Sequence, residues 1–514
     1  MKARSPWRCG LCVGSLLGVW AVVLANGACS RPSEKVADEP SGQPARSAVG
    51  HDAPMFGGTP QRNMVNLFAR NMPADWNIKE DQRQNIKWVA DLGKTSYGGP
   101  VVAGGKVFVG TNNERPRNPK VKGDRGVVMC FRESDGRFLW QAVHEKLPSG
   151  PDNDYPQQGI ASTPAVEGNR LYYVSNRCEL VCAATGGDGK EGARILWRLD
   201  MIKDLKVFPR NLANCSPLVA GDLVFVITGN GMDETHTLPS PEAPSFIAVH
   251  KKTGTLAWKS SLPGKNILDG QWSNPAYAVV NGKPQVIFPG GDGWLYGLEP
   301  KTGELIWKFD CNPKSSKYKP GGGGARNYIL ATPAVYDNKV YVGVGRDPGN
   351  EGAGAGNFWC VDITKTGDLS PVGDNFDPKA AVNKKSGLVW HYGGPAKDAD
   401  RDYLFGRTLS TCAVHDGLVY VADLDSFVYC FDARTGEKYW EEDLKSAIWG
   451  SPLWVDGKVY LGSDDGMVTI FAAGKVKKQV GKVDMDEPVQ STPVVANGVL
   501  YVMTRSHLYA IGKK

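Results

Sequence analysis

The feature that most constrains this chain is a sequence unit that returns from Tyr97 to the C-terminus. Each unit opens with a small or hydroxyl residue and proline. Two strands joined by a Gly or Asn turn follow, and then a third strand, a Thr-Gly turn and a tryptophan. One unit shows the full pattern: Ser273-Asn274-Pro275, Asn281-Gly282, Trp294-Leu295-Tyr296-Gly297, Thr302-Gly303 and Trp307. Short alternating strands that return every roughly 40 to 80 residues are typical of propeller blades.

The unit can be followed along the chain by its opening proline and its terminal tryptophan. The opening prolines are Pro100, Pro164, Pro217, Pro275, Pro333, Pro452 and Pro493, with Cys412 in the sixth unit. The terminal tryptophans are Trp140, Trp197, Trp258, Trp307, Trp390 and Trp440, with Val480 in the seventh unit. We expect these indoles, Trp307 and Trp440 among them, to be buried between neighbouring blades.

The eighth unit is incomplete, because Ser491 to Ile511 supplies only three strands. The segment 85–89, Asn-Ile-Lys-Trp-Val, resembles the end of a unit but precedes the first one. If it pairs with the eighth unit, it closes the ring and covers strand edges that would otherwise stay open. The sequence therefore predicts an all-β fold, an eight-bladed β-propeller of four-stranded antiparallel blades over 85–514. Seven blades are the alternative.

The tryptophan-ended unit resembles the pyrroloquinoline-quinone repeat. The resemblance rests on a Thr-Gly turn shortly before tryptophan, as in Thr253-Gly254 to Trp258 and Thr435-Gly436 to Trp440, and it covers nearly all of 85–511. It implies a quinoprotein dehydrogenase-like propeller. Such repeats occur in quinoprotein alcohol dehydrogenases and in the propeller lipoprotein of the bacterial outer-membrane assembly machinery. The motif is therefore specific for the fold and leaves the function open.

The N-terminus has the features of a secretory signal peptide over 1–28. Basic residues precede an apolar run from Leu11 to Ala25, which is too short to span a bilayer comfortably. We expect the mature chain to be exported to the periplasm or cell envelope. Gly27-Ala28-Cys29 resembles the end of a bacterial lipobox, although Asn26 stands where a branched apolar residue is usual. Lipidation of Cys29 and ordinary cleavage near Ala28 are the two interpretations.

Residues 29–53 are rich in Ser, Pro, Ala, Glu and Lys and predict a flexible tether, and 54–84 form an N-terminal arm. The formal net charge of +6 is too small and too scattered to indicate nucleic acid or a membrane surface as a partner. Membrane contact would come only through a lipid anchor at Cys29. We expect a monomer.

The cysteines favour packing over chemistry. Cys130, Cys182, Cys360 and Cys430 occupy equivalent third-strand positions, where a buried thiol behaves as a small apolar side chain. A disulfide between Cys178 and Cys182 in an exported chain is the alternative for that pair.

Blade geometry brings the residues before each opening proline to one mouth of the central channel, which we call the upper mouth. The candidate ligand-binding residues there are Arg210, Asn211, Asp269, Trp272, Arg326, Asn327, Arg407 and Trp449. The same loops carry Tyr97, Gln157, Gln158, Asn214, Gln271, Tyr328 and Gln490. Arginine forks suit anions and tryptophan faces suit a planar ring or a sugar, so a polar or anionic small molecule or a glycan could bind. The alternative is that these side chains cap strands.

Three loops between the second and third strands are expanded: 112–126, 229–244 and 345–356. We expect all three to rise on the upper face as the walls of a funnel. The latter two carry Asp and Glu side chains, among them Asp233, Asp347 and Glu351, which could hold calcium. Their spacing matches no established ion loop, so solvated turns are the preferred interpretation and no metal site is predicted.

Two functions remain. A quinone-dependent alcohol dehydrogenase would use Asp269 as the base, Trp272 or Trp449 as a platform and Arg326 as an electrostatic partner, with pyrroloquinoline quinone and calcium as cofactors. The chain lacks the adjacent Cys-Cys pair of that family and a haem-binding Cys-x-x-Cys-His motif. A ligand- or protein-binding assembly scaffold in the envelope, with an envelope protein as its upper-face partner, needs only a ring, a tether and a decorated face. We prefer the scaffold, for which no cofactor is required.

Overall fold

The computed structural model describes residues 51–345, 355–396 and 401–513. They form an eight-bladed β-propeller with four antiparallel strands in each blade. The strands of blade 1 are Val101–Ala103, Lys106–Asn112, Arg125–Arg132 and Phe138–Glu145, and those of blade 2 are Ala165–Glu167, Arg170–Val174, Glu179–Ala184 and Ile195–Asp200. The strands of blade 3 are Leu218–Ala220, Leu223–Ile227, Phe246–His250 and Leu256–Ser260, and those of blade 4 are Ala276–Val280, Lys283–Pro289, Trp294–Leu298 and Leu305–Asp310. The fold prediction is confirmed.

Blades 5 to 8 continue the same order around the ring. The strands of blade 5 are Ala334–Tyr336, Lys339–Val344, Asn357–Asp362 and Leu388–Gly393, and those of blade 6 are Ala413–His415, Leu418–Ala422, Phe427–Asp432 and Lys438–Asp443. The strands of blade 7 are Leu453–Val455, Lys458–Gly462, Met467–Ala472 and Gln479–Asp484, and those of blade 8 are Val494–Ala496, Val499–Met503, His507–Ile511 and Ile86–Asp91. Two short strands, Val65–Asn66 and Gly367–Asp368, add in parallel to the edges of blades 7 and 4. One α-helix, Met201–Leu205, and 3-10 turns at Glu80–Gln82, Gly264–Asn266, Pro320–Gly322 and Ala381–Asn383 lie in the described connections.

The ring closes through a strand from the start of the propeller. Ile86–Asp91 pairs antiparallel with His507–Ile511, with Trp88 opposite Ala510, so the eighth blade is completed as the closure argument requires. The strand extends to Asp91, beyond the predicted 85–89. Trp88 is buried and its indole N–H donates to the carbonyl of Glu133 in blade 1, 2.8 Å away. The N-terminal strand Ile86–Asp91 therefore completes blade 8 and also contacts blade 1, where the ring closes.

The terminal tryptophans dock each blade on the next. The indoles of Trp140, Trp197, Trp258, Trp390 and Trp440 each donate to a backbone carbonyl of the following blade. Each of the first four packs on the glycine that follows in the next blade's turn, where an added Cβ would lie 2.6–2.7 Å from the ring, as at Gly254 over Trp197. Trp307 and Trp440 are both buried, as predicted, at 0% and 7% exposed. The glycine of this turn therefore leaves room for the indole of the preceding blade to pack against it.

The small or hydroxyl residue before each opening proline also has a structural reason. In six of the eight blades, its backbone or side-chain nitrogen donates to the side-chain oxygen of the equivalent residue in the next blade, for example Gly99 to Thr163 at 2.9 Å and Ser451 to Thr492 at 3.0 Å. The two exceptions are the steps from blade 5 to blade 6, where the Thr411 hydroxyl accepts no such bond from a described residue, and from blade 8 to blade 1, where Gly99 has no side chain. We call the whole set the pre-proline ring: Gly99, Thr163, Ser216, Asn274, Thr332, Thr411, Ser451 and Thr492. It links the innermost strands around the channel.

At the lower end of the channel, residues 51–66 run around the inside of the propeller as an arm belt. The belt hydrogen-bonds to blades in the order 8, 1, 2, 4, 5, 6, 7 and 8 again. Asn497, its first partner, lies four places after Pro493. The other seven partners lie two places after an opening proline or Cys412: Val102, Val166, Tyr277, Val335, Val414, Trp454 and Val495. Ala53, which the sequence analysis placed in the tether, is buried and paired with Val102.

Blade 3 is reached by a side chain instead. Arg62 is fully buried and donates from its guanidinium to four backbone carbonyls: Pro275 at 3.0 Å, Phe56 at 2.8 Å, Ser216 at 3.2 Å and Pro217 at 3.0 Å. Burial lowers the pKa of Arg62 to about 10, which still leaves it charged at neutral pH. The arm belt therefore contacts every blade.

The cysteines within the described residues are all free and buried, including Cys178 and Cys182. Cys130, Cys182, Cys360 and Cys430 each lie opposite the terminal tryptophan of their own blade. Burial raises the pKa of the Cys130 thiol to about 12, so it stays protonated. The predicted signal peptide, Cys29 and the tether up to residue 50 lie outside the described residues, as do most of the 345–356 loop and its Asp347, Asn350 and Glu351.

Candidate functional site: the axial cavity

A cavity of about 130 Å³ lies on the propeller axis at the upper mouth. Its wall is formed by the residue three places before each opening proline or its equivalent: Tyr97, Ala161, Asn214, Trp272, Leu330, Leu409, Trp449 and Gln490. Seven members of the pre-proline ring lie below them, and Phe56 of the arm belt forms part of the floor. One register of the repeat, read from all eight blades, therefore builds the site, which we call the axial cavity.

Aromatic side chains occupy opposite sides of the axial cavity. Tyr97 and Trp449 are neighbours, with ring centroids 6.1 Å apart and planes inclined by 45°. Across the cavity, Trp272 packs against Tyr328 and its indole N–H donates to the carbonyl of Arg210 at 3.0 Å. All three lining rings are partly exposed, so each has a face available to a ligand.

Two polar atoms of the wall have no hydrogen-bond partner among the described residues. These are the indole nitrogen of Trp449 and the amide oxygen of Asn214, and both are buried. Gln490, by contrast, donates to Asp464 at 2.6 Å and accepts from Arg505 at 3.3 Å. A buried polar group without a partner is uncommon in folded proteins. The wall thus offers hydrogen-bonding capacity that the protein itself does not use.

Asp269 and Arg210 do not line the axial cavity. They pair with each other, Nε to Oδ1 at 3.0 Å, and both are largely buried. Arg210 also pairs with Glu234 of the 229–244 loop at 2.8 Å. Burial raises the pKa of Asp269, while Arg210 opposes that shift. Asp269 therefore ties a blade-three loop to a blade-four loop.

Arg326 is likewise held in an ion pair within the protein. Its guanidinium donates to Asp310 at 2.6 Å and to the carbonyl of Asp292 at 3.0 Å, and the side chain is buried. The neighbouring Asn327 is held by other loop residues. Its backbone N–H donates to the side-chain oxygen of Asn312, and its side-chain amide donates to the carbonyl of Ala355. Both residues lie outside the cavity wall.

The remaining predicted residues also face other parts of the loops. Asn211 has a left-handed backbone, φ 59°, and its N–H donates to the carbonyl of Asp152. Arg407 lies 3.5 Å from Asp425. Of the eight predicted ligand-binding residues, Trp272 and Trp449 are brought together around the axial cavity, and the other six are not.

The two expanded loops that the structure describes pack against neighbouring segments and not into the axial cavity. In the 112–126 loop, Arg117 lies over the Phe138 ring of the outer strand, 4.8 Å from its centroid, and donates to the carbonyl of Asp91. In the 229–244 loop, the backbone N–H of Met232 donates to the backbone carbonyl of Asp269. Gly321 lies so close to His236 that an added Cβ would be 2.2 Å from the ring. Neither loop contributes to the cavity wall.

The wall does not fit a carboxylated quinone with calcium. No side chain lining the axial cavity is charged, and the two best-placed arginines are in ion pairs with Asp269 and Asp310. Within the described ranges, no group of three His, Cys, Asp or Glu side chains is placed to hold a metal ion. Carboxylates are normally bound by arginine forks or cations, and this wall supplies neither.

Sequence reasoning missed Ala161, Leu330 and Leu409 because it looked for polar side chains before each proline. Aligning the eight units on their prolines would have found them, since the lining residue stands at one fixed place in each. Phe56 and Arg62 carried no comparable signal, because the arm belt lies outside the repeat.

The family model described as outer membrane protein assembly factor BamB matches residues 124–347 and 380–511, more than half of the chain. The chain belongs to that family. It is 23% identical over 313 residues to the outer membrane protein assembly factor BamB of Moranella endobia, which covers 59% of this chain and 72% of the relative.

Quinone enzymes share the propeller. The chain is 23% identical over 246 residues to the quinoprotein alcohol dehydrogenase PedH of Pseudomonas putida, covering 47% of this chain and only 34% of that enzyme. The solved quinohemoprotein alcohol dehydrogenase ADHIIG from Pseudomonas putida HK5 superposes with a TM-score of 0.57 at 15% identity, over 90% of this chain and 81% of that one. This likeness establishes the fold. Among the residues described, no helix has the length and apolarity to cross a membrane.

Proposed function

We propose that this BamB-family propeller is an assembly scaffold of the cell envelope that binds a protein partner on its upper face. The observation that carries the proposal is the use of the charged mouth residues as internal ties. The pair of Arg210 with Asp269 ties two neighbouring loops, and the pair of Arg326 with Asp310 ties a loop to the strand that precedes it. Neither pair leaves a charged group in the axial cavity. A surface that binds a protein partner needs side chains held in fixed positions by a rigid framework, and these ion pairs hold the upper loops in that way.

Export and anchoring belong to the same proposal. The features of 1–28 support secretion, and Cys29 is the residue that would carry a lipid. The match to a relative named for outer-membrane protein assembly supports a place in the periplasm at the outer membrane. The partner would then be another protein of that assembly process, and the propeller would act as a monomer.

The test is site-specific photo-cross-linking in living cells. A photoreactive residue replaces Tyr155, which is 50% exposed on an upper loop, and a matched control replaces Lys301 in an exposed lower turn. We expect a cross-link to an outer-membrane assembly protein from position 155 and none from 301. Cross-links from 301 alone would move the partner to the lower face and contradict the upper-face proposal.

The enzyme alternative has its own decisive assay. Dye-linked alcohol oxidation by the purified chain, restored by pyrroloquinoline quinone with calcium and lost in Asp269→Asn, would overturn the scaffold function. We expect no such activity, because Asp269 lies outside the axial cavity and is held by Arg210.

A further inference from the structure

The axial cavity has the composition of a ligand site that the scaffold function does not require. Its wall combines three aromatic rings, two amides, an alanine and two leucines, all uncharged. Its floor is the pre-proline ring of glycine, hydroxyl and amide groups with Phe56 beneath. A wall of this kind offers flat apolar faces and hydrogen bonds, and it gives a charged ligand no counterion.

Aromatic and amide side chains are neighbours on two sides of the axis. Trp449, Gln490 and Tyr97 belong to consecutive blades 7, 8 and 1 on one side. Asn214 and Trp272 belong to consecutive blades 3 and 4 on the other. A ring held between these two sides would meet an aromatic face and an amide on each. Leu330 and Leu409 make the remaining arc apolar.

The partnerless Asn214 oxygen and Trp449 nitrogen add a second, independent observation. One is an acceptor and the other a donor, and both belong to side chains that line the axial cavity. Most cavities of a folded protein carry no such pair, because buried polar groups are normally satisfied within the protein.

We infer that the axial cavity binds an uncharged saccharide ring. A pyranose has an apolar C–H face for Tyr97, Trp272 or Trp449, and hydroxyl groups for the amide oxygen of Asn214 and the indole N–H of Trp449. It carries no charge that the wall would leave unpaired. The arm belt supplies part of the floor, so the site exists only in the closed propeller. This site is independent of the proposed protein partner, which would bind outside the channel.

The test titrates the full-length chain with glucose, maltose, glucuronate and pyrroloquinoline quinone with calcium, following tryptophan fluorescence and saturation-transfer NMR. We expect saturable binding of glucose or maltose at concentrations up to about 10 mM, and affinity for glucuronate weaker by about tenfold or more. Trp449→Leu should weaken sugar binding by about tenfold, because the stacking face and its N–H are lost.

The matched control is Trp294→Leu. Trp294 is partly exposed beneath Lys308 and Lys314 and does not line the cavity, so its loss should leave sugar binding unchanged. Asn214→Ala provides a second cavity variant if Trp449→Leu fails to fold, and it should weaken binding without changing the unfolding curve. No saturable binding of either neutral sugar, equal affinity for glucuronate, tighter binding of the quinone, or sugar binding unchanged by both cavity variants would each overturn the proposal.

Discussion

Replacing Arg62 by alanine should destabilise the whole propeller although the residue lies far from any blade-to-blade tryptophan. The guanidinium satisfies four buried carbonyls drawn from the arm belt and from blades 3 and 4. A buried polar group left without its partner costs about 1–3 kcal/mol. Taking about 1 kcal/mol for each carbonyl, because water can enter from the lower end, gives about 4 kcal/mol for Arg62→Ala.

The measurement is urea unfolding followed by tryptophan fluorescence, with amide hydrogen exchange as a local readout. Arg70→Ala is the matched control, since Arg70 is an exposed arginine near the arm belt that donates only to the carbonyls of Leu67 and Ala69. We expect the control to change the free energy of unfolding by less than about 0.5 kcal/mol. In Arg62→Ala, the amides of Tyr277 and Val335, which donate to the arm belt, should exchange faster.

The result that would refute this reasoning is an Arg62→Ala protein as stable as the Arg70→Ala protein, with unchanged exchange at those two amides. Arg62→Lys should lie between wild type and Arg62→Ala, because the ammonium keeps the charge but cannot reach all four carbonyls.

Three further outcomes are expected. Trp440→Ala should lower the free energy of unfolding by about 3–5 kcal/mol, which urea titration would show; an unchanged midpoint would refute its docking role. Deletion of 30–50 should leave the melting temperature unchanged, whereas deletion through Asp91 should lower it sharply, because the latter removes the arm belt and the closing strand. Burial raises the pKa of Asp292 to about 7, so the folded state holds a proton there that the unfolded chain releases near pH 4. This carboxyl should therefore lower the stability by up to about 1.4 kcal/mol per pH unit as pH rises toward 7. In calorimetry from pH 5 to 8, Asp292→Asn should show a smaller slope than wild type, with the remainder coming from groups such as Asp423, whose pKa burial raises to about 6; equal slopes would contradict the assignment.

The sequence predicts the propeller well because its signals are local and repeated eight times. The Thr-Gly turn, the terminal tryptophan and the hydroxyl before proline each have one structural purpose, and they recur in the same order although the distance between units varies. The closing strand was recognisable because Trp88 continues the same pattern. A repeat of this kind is informative even where single units depart from it, as at Cys412 and Val480.

The axial cavity was only partly predictable. The repeat placed Trp272 and Trp449 at the mouth, but it could not show that Asp269 and Arg326 would turn toward Arg210 and Asp310. Arg210 pairs with Asp269 across two loops, and Arg326 pairs with the end of the strand that precedes its own loop. Both pairs depend on loop conformation, which the repeat does not fix. Polar residue type alone was therefore a poor guide to which side chains face the axis.

The arm belt was not predictable from its own residues. It has no apolar periodicity, and most of its hydrogen bonds use backbone groups, which every residue possesses. Its path depends on the finished inner strands of all eight blades. A sequence pattern can report a local preference, but it cannot report a surface that exists only after the ring has formed.

The position of the closing strand has a consequence for biosynthesis. Ile86–Asp91 is made before any blade, yet its partner His507–Ile511 is made last. The early strand must therefore stay unpaired while about four hundred residues are synthesised after it. Until then the chain is an open arc with two free edges, which is the state that a chaperone would need to protect. Completion of the C-terminus, rather than of any single blade, is the event that releases a finished ring.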